Sequence, residues 1–200
     1  MRYTGPRNRL ARREGQDLFL KSSSVDTSRP LGFAGSLKKG GKLSEYGQQL
    51  REKQKAKRIF GVTEKTFRNY YKKASQKRGA ATGFTLLSFL ETRLDNVVYR
   101  SGFALTRAQA RQMVNHGVFL INGAKVDIPS YQVKTGDKIT VRERSLDHPV
   151  FREMSDQKTF PPKWLSVDLK GRNISVMRSL EEDEAEPAIQ IQSIIEFYSR

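Results

Sequence analysis

The chain has 200 residues, with 37 Lys+Arg against 21 Asp+Glu, a net charge of +16 and no cysteine. That length suits one moderate domain or two small ones, and the missing cysteines exclude disulfides, thiolate metal sites and cysteine nucleophiles. No apolar run approaches the roughly 18 residues of a membrane span, and MRYTGPRNRLARR at the start lacks the apolar core of a signal peptide, so a soluble, cytoplasmic protein is expected.

Charge is unevenly spread, at +15 over residues 1–80, +4 over 81–145 and −3 over 146–200. A polyanion engaged mainly by the N-terminal half is the partner this predicts. Residues 1–41 show little periodicity. Arg2, Arg7, Arg9, Arg12 and Arg13 crowd the start, LFL gives one small apolar anchor, and KSSSVDTSRPLGFAGSLKKGGK is rich in Ser, Gly, Pro and Lys. The stretch reads as an extension that is mobile alone and orders on a partner.

Ser44 then has the form of an N-cap, opening a helix that carries Arg51, Lys53, Lys55, Lys57 and Arg58 around much of its surface and stops at Gly61. Thr63 caps a second helix. There Phe67, Tyr70, Tyr71 and Ala74 follow the i, i+3, i+4, i+7 rule and read as core, while Arg68, Lys72, Lys73, Lys77 and Arg78 decorate the other faces. Two basic helices joined by a tight turn make a helical hairpin. A third helix is predicted over about 85–100, on Leu86, Leu87, Leu90, Leu94, Val97 and Val98, with Asp95 in RLDN as a surface ion-pair partner or polar anchor.

The fourth helix opens at Thr106, where TRAQ has the form of a capping box, and it stops at Gly117. VFLINGAKVDI is a hairpin around Asn122-Gly123, Pro129 limits its second strand to an edge, and KITVRE alternates as a half-buried strand. Further on, PPKWLSVDLKGRNISV predicts two strands about a turn at Gly171-Arg172, and EEDEAE reads as a solvated linker. Pro187 fits a helix N1 position. The apolar face Ile191, Ile194, Ile195, Tyr198 then predicts a terminal helix packed back on the hairpin.

Catalytic constellations are scarce: there is no P-loop, GxGxxG or GxSxG. His116 and His148 have no partners at metal-ligand spacing, and Glu181-Glu182 lack the apolar pocket that tunes a general acid. An enzyme is not expected. The stronger feature is Arg107, Arg111 and Asn115, spaced by four on one helix stripe. No acid lies between Asp95 and Asp127, so the two guanidiniums, about 6 Å apart, read as unpaired and able to meet phosphates bidentately. Arg93, Arg100 and Lys125 would widen that patch.

RLDNVVYRSGFALTRAQARQMVNHGVFLINGAKVDIPSYQVKTGDKI resembles the small RNA-binding module named after small-subunit ribosomal protein S-four, which also occurs in pseudouridine synthases, some ribosomal RNA methyltransferases and certain tyrosyl-tRNA synthetases. The flanking RYTGP…RLARREG…LFLK, KLSEYGQQLREKQKAKRIFGVTEKTFRNYYKKA and EFYSR resemble the bacterial and organellar S-four family itself, in order along nearly the whole chain. The resemblance implies a primary binder of 16S-type ribosomal RNA that nucleates assembly of the small subunit's body and contributes to accuracy. It also implies ribosomal protein S-five as neighbour, messenger RNA close by, no membrane, and location on the small subunit in the cytoplasm or an organelle. The alternative is a stand-alone RNA-binding translation or quality-control factor. Many relatives bind zinc or an iron–sulfur cluster through two N-terminal cysteine pairs. Asn8 and Ala11 stand at the first pair here, Val25 and Pro30 roughly at the second, so no cofactor is expected.

The expected fold is therefore α+β. It comprises a basic N-terminal extension (1–43), a helical hairpin domain (44–84, completed by 187–200) and an inserted α/β domain (85–186) holding the RNA-binding module at 92–145. Predicted RNA contacts are Arg2, Tyr3, Arg7, Arg9, Arg12, Arg13, Lys38, Lys39 and Lys42 from the extension. The helical hairpin adds Arg51, Lys53, Lys55, Lys57, Arg58, Arg68, Lys72 and Lys73. Arg93, Arg100, Arg107, Arg111, Asn115 and Lys125 come from the module.

Overall fold

A computed structural model of the chain describes residues 3, 5–27, 43–146, 151 and 161–200. The predicted contacts Arg2, Lys38, Lys39 and Lys42, together with Pro30 and His148, lie outside the described residues. The chain divides into two compact units, Met1–Leu87 with Pro187–Arg200, and Ser88–Glu186. No helix among the described residues is long and apolar enough to cross a membrane.

The first unit is helical. Within the predicted extension, Arg7–Glu14 forms helix α1, which ends at Gly15 in the left-handed conformation (φ +70°). Ala11 is its buried residue, Arg51 donates to the carbonyl of Arg13, and Arg58 pairs with Glu14. Those long-range ties, invisible to periodicity, fasten α1 to the next helix of the chain. Helix α2 (Glu45–Ile59) begins where Ser44 accepts the amide of Gly47, as its N-cap character predicts. It ends in a Schellman turn: Gly61 at φ +60° donates to Arg58, and Val62 donates to Lys57. Thr63 then caps α3 (Glu64–Gln76) by accepting the amide of Thr66.

Helix α4 (Thr82–Glu91) follows, and the terminal helix α7 (Ile191–Ser199) returns to this unit. α7 starts later than Pro187 suggests, with Gln190 as its N-cap residue; Pro187 lies in a turn before it. Ile194 is fully buried, Tyr198 stacks on Tyr71 (4.5 Å between centroids) and Phe67 (6.3 Å), and Gly83 of α4 leaves room for Ile195 and Ile191, whose carbons lie 2.8 and 3.0 Å from where a Cβ would stand.

Glu64, at the start of α3, binds this set together. It accepts from Lys53 (3.1 Å) and the Tyr198 hydroxyl (2.8 Å), and pairs with Lys57 (2.8 Å). Burial alone would raise its carboxyl, but hydrogen bonds from Lys57, Tyr198 and Lys53 outweigh burial and hold it down at about 2. Burial and Glu64 push the Tyr198 hydroxyl the other way, upward. A depressed carboxyl contributes stability that is present above its unfolded value of 4.5 and is lost as pH falls toward 2. Thermal melts between pH 5 and about 2 should show that acid limb. Glu64→Gln should flatten it; an unchanged limb would assign the acid sensitivity to other carboxylates.

The second unit holds α5 (Leu94–Arg100), α6 (Arg107–Asn115) and a five-stranded antiparallel sheet, completing the expected α+β fold. Its strands β1 (Phe119–Ile121), β2 (Ala124–Lys125), β3 (Lys138–Val141), β4 (Leu165–Asp168) and β5 (Asn173–Val176) run in the order β2-β1-β3-β5-β4. Leu90, Leu94, Val97, Val98, Ala110, Val114, Phe119, Ile139, Trp164 and Ile174 are buried. Asn122 (φ +50°) and Gly123 (φ +83°) make the two-residue turn between β1 and β2, with Leu120 opposite Lys125. β2 sits at the sheet edge, as Pro129 predicts.

The single helix predicted over 85–100 is two. Arg93 is extended (ψ 137°) and bridges Gln132, Leu94 donates to the carbonyl of Tyr131, and Asp95 donates to that of Pro129. The 129–133 segment satisfies the free amides at the start of α5, so the chain breaks its helix with neither Gly nor Pro at the break.

Candidate nucleic-acid interface

α6 is built as its sequence suggests, with one difference. Thr106 accepts the amide of Gln109 (3.2 Å), but the Gln109 side chain reaches the amide of Leu105 (2.8 Å) instead of that of the cap residue. At the other end Gly117 (φ +64°) and Val118 donate to Val114 and Met113, closing a second Schellman turn. The stem of Lys125 lies across Gly117, with its Cε 2.4 Å from where a Cβ would stand. That flexible side chain could shift, so the positive φ is what calls for glycine there. The Lys125 ammonium meets Asp127 at 3.2 Å, both groups about half exposed, so that pair is weak. Asn115 is exposed.

The arginines of this unit correct the reading of an unpaired stripe. Arg107 donates to Glu186 (2.5 Å) and Asn96 (2.8 Å), lies over the Tyr99 ring (4.4 Å) and is 10% exposed in its side chain. Arg100 binds Glu91 through two bonds (2.6 and 3.0 Å) and reaches Glu186 (3.2 Å). Burial would lower its guanidinium pKa, but Glu91 and Glu186 raise it. Arg93 is buried against Asp95 through two bonds of 3.0 and 2.8 Å. Arg111 lies 3.6 Å from the same carboxylate. The acids come from the preceding helix and from Glu186, 79 residues beyond Arg107, so a search restricted to neighbouring sequence misses them. EEDEAE is correspondingly not a plain solvated linker: Glu184 holds Arg178, and Glu186 joins Arg100 to Arg107. Asp95, offered as a surface partner or polar anchor, is a buried anchor.

In the first unit the predicted cations also separate. Lys53 and Lys55 are buried, Lys53 over the Phe197 ring (4.2 Å) and Lys55 against Glu52 (2.6 Å); both serve the scaffold. Lys57 pairs with Glu64, while Arg7 and Arg12 donate to the carbonyls of Leu20 and Asp26. Burial, and next the neighbouring Arg13, lower the Arg58 guanidinium pKa, as expected where cations crowd together. Tyr3, Arg9, Arg13, Arg68, Lys72 and Lys73 are exposed. So are Lys65, Lys77 and Arg78, which the list of predicted contacts leaves out. Lys65, Arg68 and Lys72 fall at i, i+3 and i+7, one face of α3, and that spacing is the signal that could have found Lys65. Among the described residues none of Lys65, Arg68, Lys72, Lys73, Lys77 and Arg78 forms an ion pair with a carboxylate.

Asn8 supplies only an amide oxygen, while Ala11 and Val25 supply hydrocarbon. With no thiolate or imidazole there, these residues do not fit the zinc or iron–sulfur group of many relatives.

An exposed cationic helical face and a compact two-helix, short-sheet module define a polyanion-binding architecture. A family model described as "Ribosomal protein S4/S9 N-terminal domain" matches residues 2–91, and one described as "S4 domain" matches 92–139, so their boundary falls at the break between α4 and α5. The chain is 51% identical to the small ribosomal subunit protein uS4 of Vesicomyosocius okutanii and 49% identical to that of Ruthia magnifica. It is 47% identical to that of Natranaerobius thermophilus, and each comparison covers 100% of this chain and 99% of the relative. The chain belongs to the uS4 family of small ribosomal subunit proteins, a structural and non-catalytic family.

Proposed function

We propose that the protein is a structural component of the small ribosomal subunit that binds 16S-type ribosomal RNA directly, nucleates assembly of the subunit's body and contributes to translational accuracy. The observation that carries the reading is the outer surface of α3 with the two residues that follow it. Lys65, Arg68, Lys72, Lys73, Lys77 and Arg78 are exposed, and Glu64, the one acid of that helix, is turned to Lys53, Lys57 and Tyr198. Phosphate contacts of this kind fix position and register on a folded RNA, and sequence is then read largely through RNA shape.

In this reading residues 1–43 act as a basic arm, 44–84 with 187–200 as the main RNA-binding domain, and 85–186 as a module adding contacts through Arg111, Asn115 and Lys125. Tyr3, Arg7, Arg9, Arg12, Arg13, Arg51, Lys57 and Arg58 contribute from the first unit, alongside Arg68, Lys72 and Lys73. Lys53 and Lys55 serve the scaffold of the first unit, and Arg93, Arg100 and Arg107 that of the second. Ribosomal protein S-five and messenger RNA are the neighbours, and the small subunit of a bacterial or organellar ribosome is the location. Co-sedimentation with small subunits through a high-salt wash tests it: one copy per subunit is expected to remain. Complete release at moderate salt would favour a transient translation factor.

A further inference from the structure

The predicted LFL anchor is split by the structure. Leu18 is 1% exposed and packs inward, whereas Phe19 is 59% exposed and has φ +50°. A bulky L-residue in that left-handed region is strained, and an exposed phenyl ring contributes little to burial. Folding alone is better served by Asn or Gly, which tolerate the backbone and leave no ring in water. Two unfavourable choices at one position are the mark of a residue kept for contact with something else.

The surroundings hold the ring in place. The Asp17 carboxylate accepts the Phe19 amide through Oδ1 (2.8 Å) and the Val25 amide through Oδ2 (2.9 Å), closing the loop. Arg7 donates to the carbonyl of Leu20 (3.0 Å) and Arg12 to that of Asp26 (3.2 Å), tying both sides of the loop to α1. Leu18 anchors it from below. The loop is thus organised by a carboxylate and two guanidiniums.

We propose that Phe19 is a stacking platform for an unpaired RNA base. Its setting selects that occupant, because it lies in the first eighty residues, where the net charge is +15. Exposed Arg9, Arg13 and Lys21 are close in sequence. An exposed ring on a loop held by Arg7 and Arg12 suits a splayed nucleotide, whose phosphate meets the neighbouring cations while its base covers the ring. A protein partner would call for a contiguous apolar patch. The proposal rests on the RNA-binding reading above.

The test titrates the full-length protein with 16S ribosomal RNA over a range of salt concentrations, beside thermal melts. Wild-type binding that weakens steeply with salt is the control for the RNA-binding reading itself. Given that control, Phe19→Asn should lose roughly 5- to 150-fold in affinity, the range one base–aromatic stack supplies. Its salt slope should be unchanged, because no cation is removed, and its Tm should be equal or higher because the strain is relieved. Phe19→Trp should bind within about threefold of wild type, and its added fluorescence should be quenched by RNA, since stacking tolerates any aromatic ring. Wild-type affinity in Phe19→Asn overturns the stacking role while leaving the RNA-binding reading intact. A collapsed Tm in Phe19→Asn overturns it in favour of a structural ring.

Discussion

Asp95→Ala should destabilise the second unit by about 3–5 kcal/mol, the usual effect of removing one partner of a buried ion pair. Arg93 is 2% exposed, with two nitrogens on the Asp95 carboxylate, and solvent cannot reach the guanidinium left behind. The loss is a large fraction of the roughly 5–15 kcal/mol that stabilises a typical domain. Removing both charges is different, because apolar groups of similar volume often replace a buried pair at little net loss. Arg93→Met combined with Asp95→Leu should therefore recover most of the stability, with Arg111 as the remaining group that notices the change. Denaturant unfolding of the single and double variants measures this as a coupling energy. A single-variant loss under about 1 kcal/mol would mean that the pair is wet and contributes as surface pairs do.

The same reasoning reassigns Arg107. Its guanidinium is shared between Glu186, Asn96 and the face of Tyr99, so its removal weakens the module's own scaffold. Loss of RNA binding on mutating it would report disturbed packing before it reported a missing phosphate contact.

Local signals were readable from the sequence. Ser44, Thr63 and Thr106 cap helices, Gly61 and Gly117 end them, and Asn122-Gly123 turns the hairpin, because each acts within four residues of itself. The return of the terminal helix was legible too, since an apolar stripe with nothing beside it must find a partner. What stayed hidden depends on partners far along the chain. The break at Arg93 needs the 129–133 segment, and the burial of Lys53 needs Phe197 and Glu64. The role of Glu186 needs two arginines 86 and 79 residues away. Inside and outside within LFL were likewise undecidable, because a three-residue run has no period to read. For the candidate interface the consequence is specific. Counting cations along the sequence located the basic half of the molecule, but separating those that face solvent from those that hold helices together required their neighbours.

Arg68, Lys72 and Lys73 pass that separation, and changing all three to Ala should weaken 16S ribosomal RNA binding about a hundredfold near 0.15 M salt. The figure follows from counterion release. Each phosphate contact contributes about 0.7–0.9 to the slope of log affinity against log salt, and three such contacts taken from 0.15 M to 1 M amount to about two decades. The slope itself should fall by about 2–3. Folding should not suffer, because the side chains are exposed and the change relieves like-charge repulsion between Arg68 and Lys72, and between Lys73 and Lys77, at i, i+4 spacing. Tm is thus expected to stay level or rise slightly, which separates this variant from Asp95→Ala. Replacing Lys72 and Lys73 by Arg keeps the charge and should keep the slope. Should the triple variant bind with wild-type affinity and an undiminished slope, α3 faces solvent in the complex and the phosphate contacts belong to the arm and the module.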